Sequence, residues 1–167
     1  KRPEKPYVPK FFFLSNSDSS KDYSSIFSCT NILLGYPDKK VLEKVSFALY
    51  PGSKVGIVGA GWRSEFFIRL LLTFPNDFEL VGIVARNQAR ASEINSKYQI
   101  KVFSSFEDLM AAGNLDFVII SVSWDSNPGL VIEAVKKGIP VLSETPPAPD
   151  RNGLIDLWKS VGHLNKV

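Results

Sequence analysis

At 167 residues, with 44% hydrophobic and 22% charged side chains, the chain has the make-up of one globular domain, or one domain plus an extension. A net charge of +3 from mixed signs excludes the concentrated basic face of a nucleic-acid binder, and no apolar run approaches the roughly 20 residues that span a bilayer. Cys29 is the only cysteine, so no intramolecular disulfide forms and a reducing, cytoplasmic compartment is expected; it reads as a small packing residue. His163 is the only histidine and has no cysteine cluster beside it, which argues against a zinc site or a Ser-His-Asp triad. No metal is expected.

In chain order, Lys1, Arg2, Lys5 and Lys10 interleave with Pro3, Pro6 and Pro9 and read as an extended leader in preference to a nucleic-acid arm, and residues 15–28 are a Ser/Asp/Lys-rich linker. A chain that begins at Lys1 is expected to be a fragment or a processed form. Residues 29–52 form a β extension: a strand over 30–34, a turn at Gly35, Tyr36, Pro37 and Asp38, then alternating Val45, Phe47 and Leu49. Pro51-Gly52 makes a second turn.

From residue 53 the rhythm becomes strand, helix, strand, helix. Residues 54–58 are an apolar strand, and Phe66, Phe67, Leu70, Leu71 and Phe74 mark an apolar helical stripe ended by Pro75. Strands follow at 80–85, 101–103, 117–122 and 140–142. Helices are expected at 88–98, 105–112 (with Ser105 as N-cap to Asp108), 128–137 and 153–161, with a proline-rich loop over 143–150. Short parallel strands alternating with helices predict a doubly wound α/β sheet of Rossmann type over residues 53–167.

Gly59, Ala60 and Gly61 stand where the first of these strands meets a helix. A glycine pair at that junction lets the backbone approach a pyrophosphate, which then faces the N–H groups and positive dipole end of the helix. The third position of the G-x-G-x-x-G pattern is Ser64.

Residues 54–61, 78–86, 116–123 and 134–146, taken in order, resemble the N-terminal Rossmann domain of the Gfo/Idh/MocA oxidoreductases. The resemblance implies a dinucleotide whose pyrophosphate lies over Gly59, Gly61, Trp62 and Arg63, with Ser121, Val122 and Ser123 facing its adenine and nicotinamide side. It aligns Glu144, Thr145 and Pro146 with the family's Glu-Lys-Pro motif, so Thr145 stands at the lysine that serves catalysis and Glu144 beside the nicotinamide ribose. Asn127 replaces a common histidine. The family adds a C-terminal domain that shapes the substrate site, so hydride exchange with a small carbonyl, carbinol or imine is expected only where such a domain is supplied. The isolated chain is expected to be inactive, and apolar surface left uncovered favours homo-oligomers.

Ala85 and Arg86 occupy the strand end at which NAD-selective domains carry a carboxylate for the ribose 2′-hydroxyl. A guanidinium there, with Arg63 nearby, suits a 2′-phosphate, so NADP is expected over NAD.

A second likeness lies upstream. Gly35, Tyr36, Pro37 and Asp38, residues 41–47 and residues 51–59 resemble the opening strands of an ABC-type ATPase domain, in which the aromatic would stack on adenine. The triphosphate loop requires GxxxxGK[ST], and Ser64 and Glu65 fall at its second glycine and lysine. A non-catalytic or chimeric nucleotide-binding module and a degenerate ATP-binding domain therefore stand as alternatives to the oxidoreductase reading.

Overall fold

A computed structural model describes residues 25–36 and 39–161. They fall into two units, Lys1–Tyr50 and Pro51–Val167. In the first, β1 (Phe27–Tyr36) and β2 (Lys39–Leu49) pair antiparallel as a two-stranded sheet, Phe27 opposite Leu49 and Tyr36 opposite Lys39. Both strands run longer than the alternation indicates. Gly35 and Tyr36 belong to β1 instead of a turn, and strand begins at Phe27, inside the expected linker. The leader, the linker to residue 24, Pro37, Asp38 and His163 lie outside the described residues.

The second unit is a five-stranded sheet in the order β5-β4-β3-β6-β7, every neighbour parallel. The strands are β3 (Ser53–Val58), β4 (Phe78–Val84), β5 (Val102–Phe103), β6 (Phe117–Ile120) and β7 (Val141–Ser143). The helices α1 (Trp62–Thr73), α2 (Gln88–Tyr98), α3 (Phe106–Ala111), α4 (Asn127–Lys136) and α5 (Arg151–Val161) run between and after them. Winding proceeds outward from β3 through β4 to β5, then returns to β6 on the other side. The order therefore reverses between β3 and β6, and a crevice opens beyond their carboxyl ends.

Side-chain alternation divides the core into two layers. Val55, Ile57, Ile83 and Ile119 face α1 and α2, whose Ile68, Leu71 and Ile94 complete that cluster. Val58, Val84, Val118 and Ile120 face the opposite side with Phe106, Leu109, Val131, Ala134, Val135, Leu157 and Val161. A strand turns successive side chains to opposite faces, so helices can cover both only if its residues are apolar throughout.

Helix bounds follow their caps. Asn87 Oδ1 accepts from Arg90 N–H at the start of α2, Ser105 Oγ accepts from Asp108 N–H (3.0 Å) at the start of α3, and Gly138 turns at φ 76° after α4. The expected stripe on α1 is corrected. Ser64, Ile68 and Leu71 face the sheet with Phe67 beside them, whereas Phe66, Leu70 and Phe74 are exposed. Phe66 and Leu70 each lie about 200° around the helix from a buried position two residues away, Ser64 or Ile68, so one arc cannot hold both sets, and Phe74 falls beyond the last helical residue.

Candidate functional site

A cleft of about 1070 Å³ lies beyond the carboxyl ends of β3, β4, β6 and β7. It gathers ten of the residues singled out from the sequence: Gly59, Gly61, Trp62, Arg63, Ala85, Arg86, Ser121, Val122, Ser123 and Glu144. Asn87, which follows Arg86 at the strand end where a cofactor-selecting residue is expected, lines it too, as do Arg90, Ser104, Glu107 and Trp124, for which the sequence carried no signal.

The two glycines of the turn are glycine for different reasons. Gly59 has φ 112°, and a Cβ there would lie 1.9 Å from the Ser121 carbonyl oxygen. The close approach of the Ser121 backbone, just after β6, to the end of β3 thus forbids any side chain at 59. At Gly61, the residue before α1, a Cβ would meet nothing within 4 Å. The protein leaves that space open toward the cleft, as close approach of a phosphate requires. No side chain caps α1, and the first intrahelical bond is Glu65 N–H to Gly61 O (3.3 Å). The N–H groups of the first turn therefore keep their capacity to donate to an anion.

Behind the turn lies a charged network. Glu65 accepts from Lys97 Nζ (2.6 Å), from the Tyr98 hydroxyl (2.6 Å) and from Arg90. These donors, Lys97 foremost, pull its carboxyl from 4.5 to about 2, and Glu65 in turn raises the pKa of Lys97. The carboxylate is directed to α2, not into the cleft. The second glycine and the phosphate-binding lysine that a triphosphate loop requires are both absent, which separates this turn from one. Arg90 also donates from Nε to Ala60 O (2.8 Å) and pairs with Glu93 (2.6 Å).

Arg86 is exposed on the cleft wall after β4 and makes no ion pair among the described residues. Arg63 is differently placed. Its guanidinium pairs with Glu144 and lies 5.3 Å from the centre of the Trp62 ring. Glu144 also accepts from Ser121 Oγ (3.2 Å), so one carboxylate joins the ends of β6 and β7 to the start of α1.

Three residues expected at the site stand off the cleft. Asn127 is fully buried, donating from Nδ2 to Ser143 Oγ (2.7 Å) and to Pro147 O (3.0 Å). It holds the loop after β7 from beneath, which leaves no face for a cofactor. Thr145 and Pro146, joined by a cis peptide bond, are exposed and do not line the cleft. Among the described residues no three His, Cys, Asp or Glu side chains gather as metal ligands, and no helix is long and apolar enough to cross a membrane.

The cleft's position and the glycine turn agree with a family match. Residues 53–167 match the model of the oxidoreductase family with an NAD-binding Rossmann fold, Gfo/Idh/MocA. The chain belongs to the Gfo/Idh/MocA oxidoreductase family. The match takes in the segment 54–61 that two nucleotide-binding architectures had shared. Inositol 2-dehydrogenase of Corynebacterium glutamicum (strain R) is 29% identical over 114 residues, 68% of this chain and 34% of that protein. Trans-1,2-dihydrobenzene-1,2-diol dehydrogenase of Sus scrofa is 31% identical over 93 residues, 54% of this chain and 28% of that protein. Among solved structures, the WlbA dehydrogenase of Bordetella pertussis, in complex with NADH and UDP-GlcNAcA, superposes with a TM-score of 0.61 at 26% identity. That superposition covers 68% of this chain and 35% of the dehydrogenase. The chain thus spans about a third of the length of the relatives it matches.

Proposed function

We propose that residues 53–167 are the cofactor-binding part of a dinucleotide-dependent oxidoreductase, and that the cofactor is NADP in preference to NAD. The pyrophosphate would lie over Gly61, Trp62 and Arg63, accepting from the first-turn N–H groups of α1. The open space at Gly61 fits such a group. Preference for the phosphorylated form rests on one observation: the end of β4 presents Ala85, buried, and Arg86, exposed and without an acidic partner among the described residues. A guanidinium binds a 2′-phosphate through charge-assisted hydrogen bonds, while a bare 2′-hydroxyl is better served by a carboxylate.

The bound dinucleotide would supply hydride exchange with a small carbonyl, carbinol or imine compound, given a substrate domain. This chain's residues bind and orient it. Ser121, Val122 and Ser123 wall the side opposite Arg86, and Glu144, held by Arg63 and Ser121, supports the mouth. No protein base stands at position 145, because a threonine hydroxyl has no useful basicity near neutral pH and Thr145 lies off the cleft. That observation favours a second reading, a binding module without turnover. The single cysteine supports a reducing, cytoplasmic setting.

Calorimetric titration with NADPH, NADH and ATP tests the reading. Binding of NADPH about tenfold or more tighter than NADH is expected. Arg86→Asp should reverse the order, since it restores the carboxylate and repels a 2′-phosphate. Binding of ATP with neither dinucleotide would overturn the assignment. An unchanged NADPH/NADH ratio in the variant would overturn the role of Arg86 alone. Steady NADPH oxidation by the isolated chain would refute the second reading.

A further inference from the structure

Arg90 lines the cleft, yet its charge is already compensated. Glu65 and Glu93 both pair with its guanidinium, and Lys97 shares Glu65. Its side chain is about one quarter exposed. A cation so placed adds little long-range pull on a phosphate. Its contacts are instead geometric. Nε donates to the carbonyl of Ala60, between the two turn glycines, and the Arg90 backbone N–H donates to Asn87 Oδ1 (2.9 Å). Asn87 directly follows Arg86. The Arg90 side chain therefore grips the glycine turn from α2, the helix whose N-cap directly follows Arg86.

We infer that Arg90 is a positioning residue that fixes the spacing between the glycine turn and Arg86, so that the pyrophosphate and the 2′-phosphate of one phosphorylated dinucleotide are met at once. The inference rests on the proposed function, because it assigns the two anchor points to those two phosphate groups. Holding two subsites at the correct separation adds affinity for the ligand that spans them, without altering affinity for a ligand that reaches only one. The planar fork is necessary to the arrangement: its separate N–H groups meet Ala60, Glu65 and Glu93 in fixed directions, and a lysine ammonium cannot span all three.

The test compares NADPH with 2′-AMP, a fragment that reaches only the Arg86 end, by calorimetry on the full chain and on Arg90→Lys and Arg90→Met. NADPH binding should weaken about tenfold or more in both variants while 2′-AMP changes by less than about twofold. A loss of equal size for both ligands, following a fall in Tm, would mean that Arg90 merely supports the fold. Unchanged NADPH binding would equally overturn the inference. Should Arg90→Met fail to fold, Arg90→Lys decides the matter alone, since it keeps the charge at a quarter-exposed position. A wild-type chain that binds neither NADPH nor NADH overturns the proposed function and takes this inference with it. A wild-type chain that binds NADPH beside an unaffected Arg90→Lys overturns the positioning role only.

Discussion

The two rims of the cleft are built on opposite plans. On the rim formed by β3, α1 and α2, the polar bonding lies behind the wall. Glu65, Arg90, Lys97 and Tyr98 satisfy one another between the helices, and the turn presents unused N–H groups and an empty position at Gly61. On the rim formed by β6, β7 and their following loops, the polar groups are engaged with protein partners, Glu144 at the wall and Asn127 buried behind it. Glu144 binds Arg63 and Ser121, and Asn127 binds Ser143 and Pro147. One rim keeps its donors unused, and the other has its polar groups already engaged with protein partners.

The largest effect that would test this contrast is at the turn. Gly59→Ala should cost more than about 3 kcal/mol, because it combines a left-handed backbone with a Cβ driven into the Ser121 carbonyl. Gly61→Ala should cost no more than about 1 kcal/mol, the difference between glycine and alanine before a helix, yet weaken dinucleotide binding about tenfold. Thermal melts beside titrations separate the two. Equal stability losses would erase the distinction between a glycine required by the fold and one required by the ligand.

Next comes the opposite rim. Asn127→Ala should cost about 2–3 kcal/mol in chemical denaturation, since it strands the Pro147 carbonyl and leaves a small void. Proteolysis within residues 143–147 should accelerate with it. A loop that stays protected would show that Asn127 is not what holds this rim.

The network behind the turn gives a pH signature. The folded-state carboxyl of Glu65 lies at about 2 against an ordinary 4.5, so its stabilisation is full above about 4.5 and is lost as pH falls toward 2. The amount at stake is on the order of 2 kcal/mol after allowance for solvent around Lys97. In Glu65→Gln the acid side of the stability profile should flatten over that window; an unchanged profile would remove Glu65 from the account. The smallest expected effect is a gain. Ser64 is buried on the sheet-facing side of α1 with no hydrogen-bond partner for its hydroxyl, so Ser64→Ala should stabilise by about 1 kcal/mol, read as a rise in Tm.

Much of the architecture was legible because it depends on local signals. The bounds of α2, the Ser105 cap, the buried run of β6 and the glycine turn all follow from propensity, capping and period over a few residues. The arc that α1 buries was not legible. Its residues are apolar nearly all round, so the stripe through Phe66, Leu70 and Phe74 competes on equal terms with the one through Ile68 and Leu71. Arg90 was invisible for another reason. Its partners Ala60 and Glu65 lie 30 and 25 positions away, and nothing in a helix-surface arginine announces which carboxylate it will meet. Asn127 shows the hazard of carrying a position over from a family: the place matched, but its side chain turned inward to bind the loop.

The unequal glycines of the turn also separate two demands on one short segment. Among variants chosen only for folding, position 61 should accept side chains freely, while the close approach of the Ser121 carbonyl to the end of β3 would go on demanding glycine at 59.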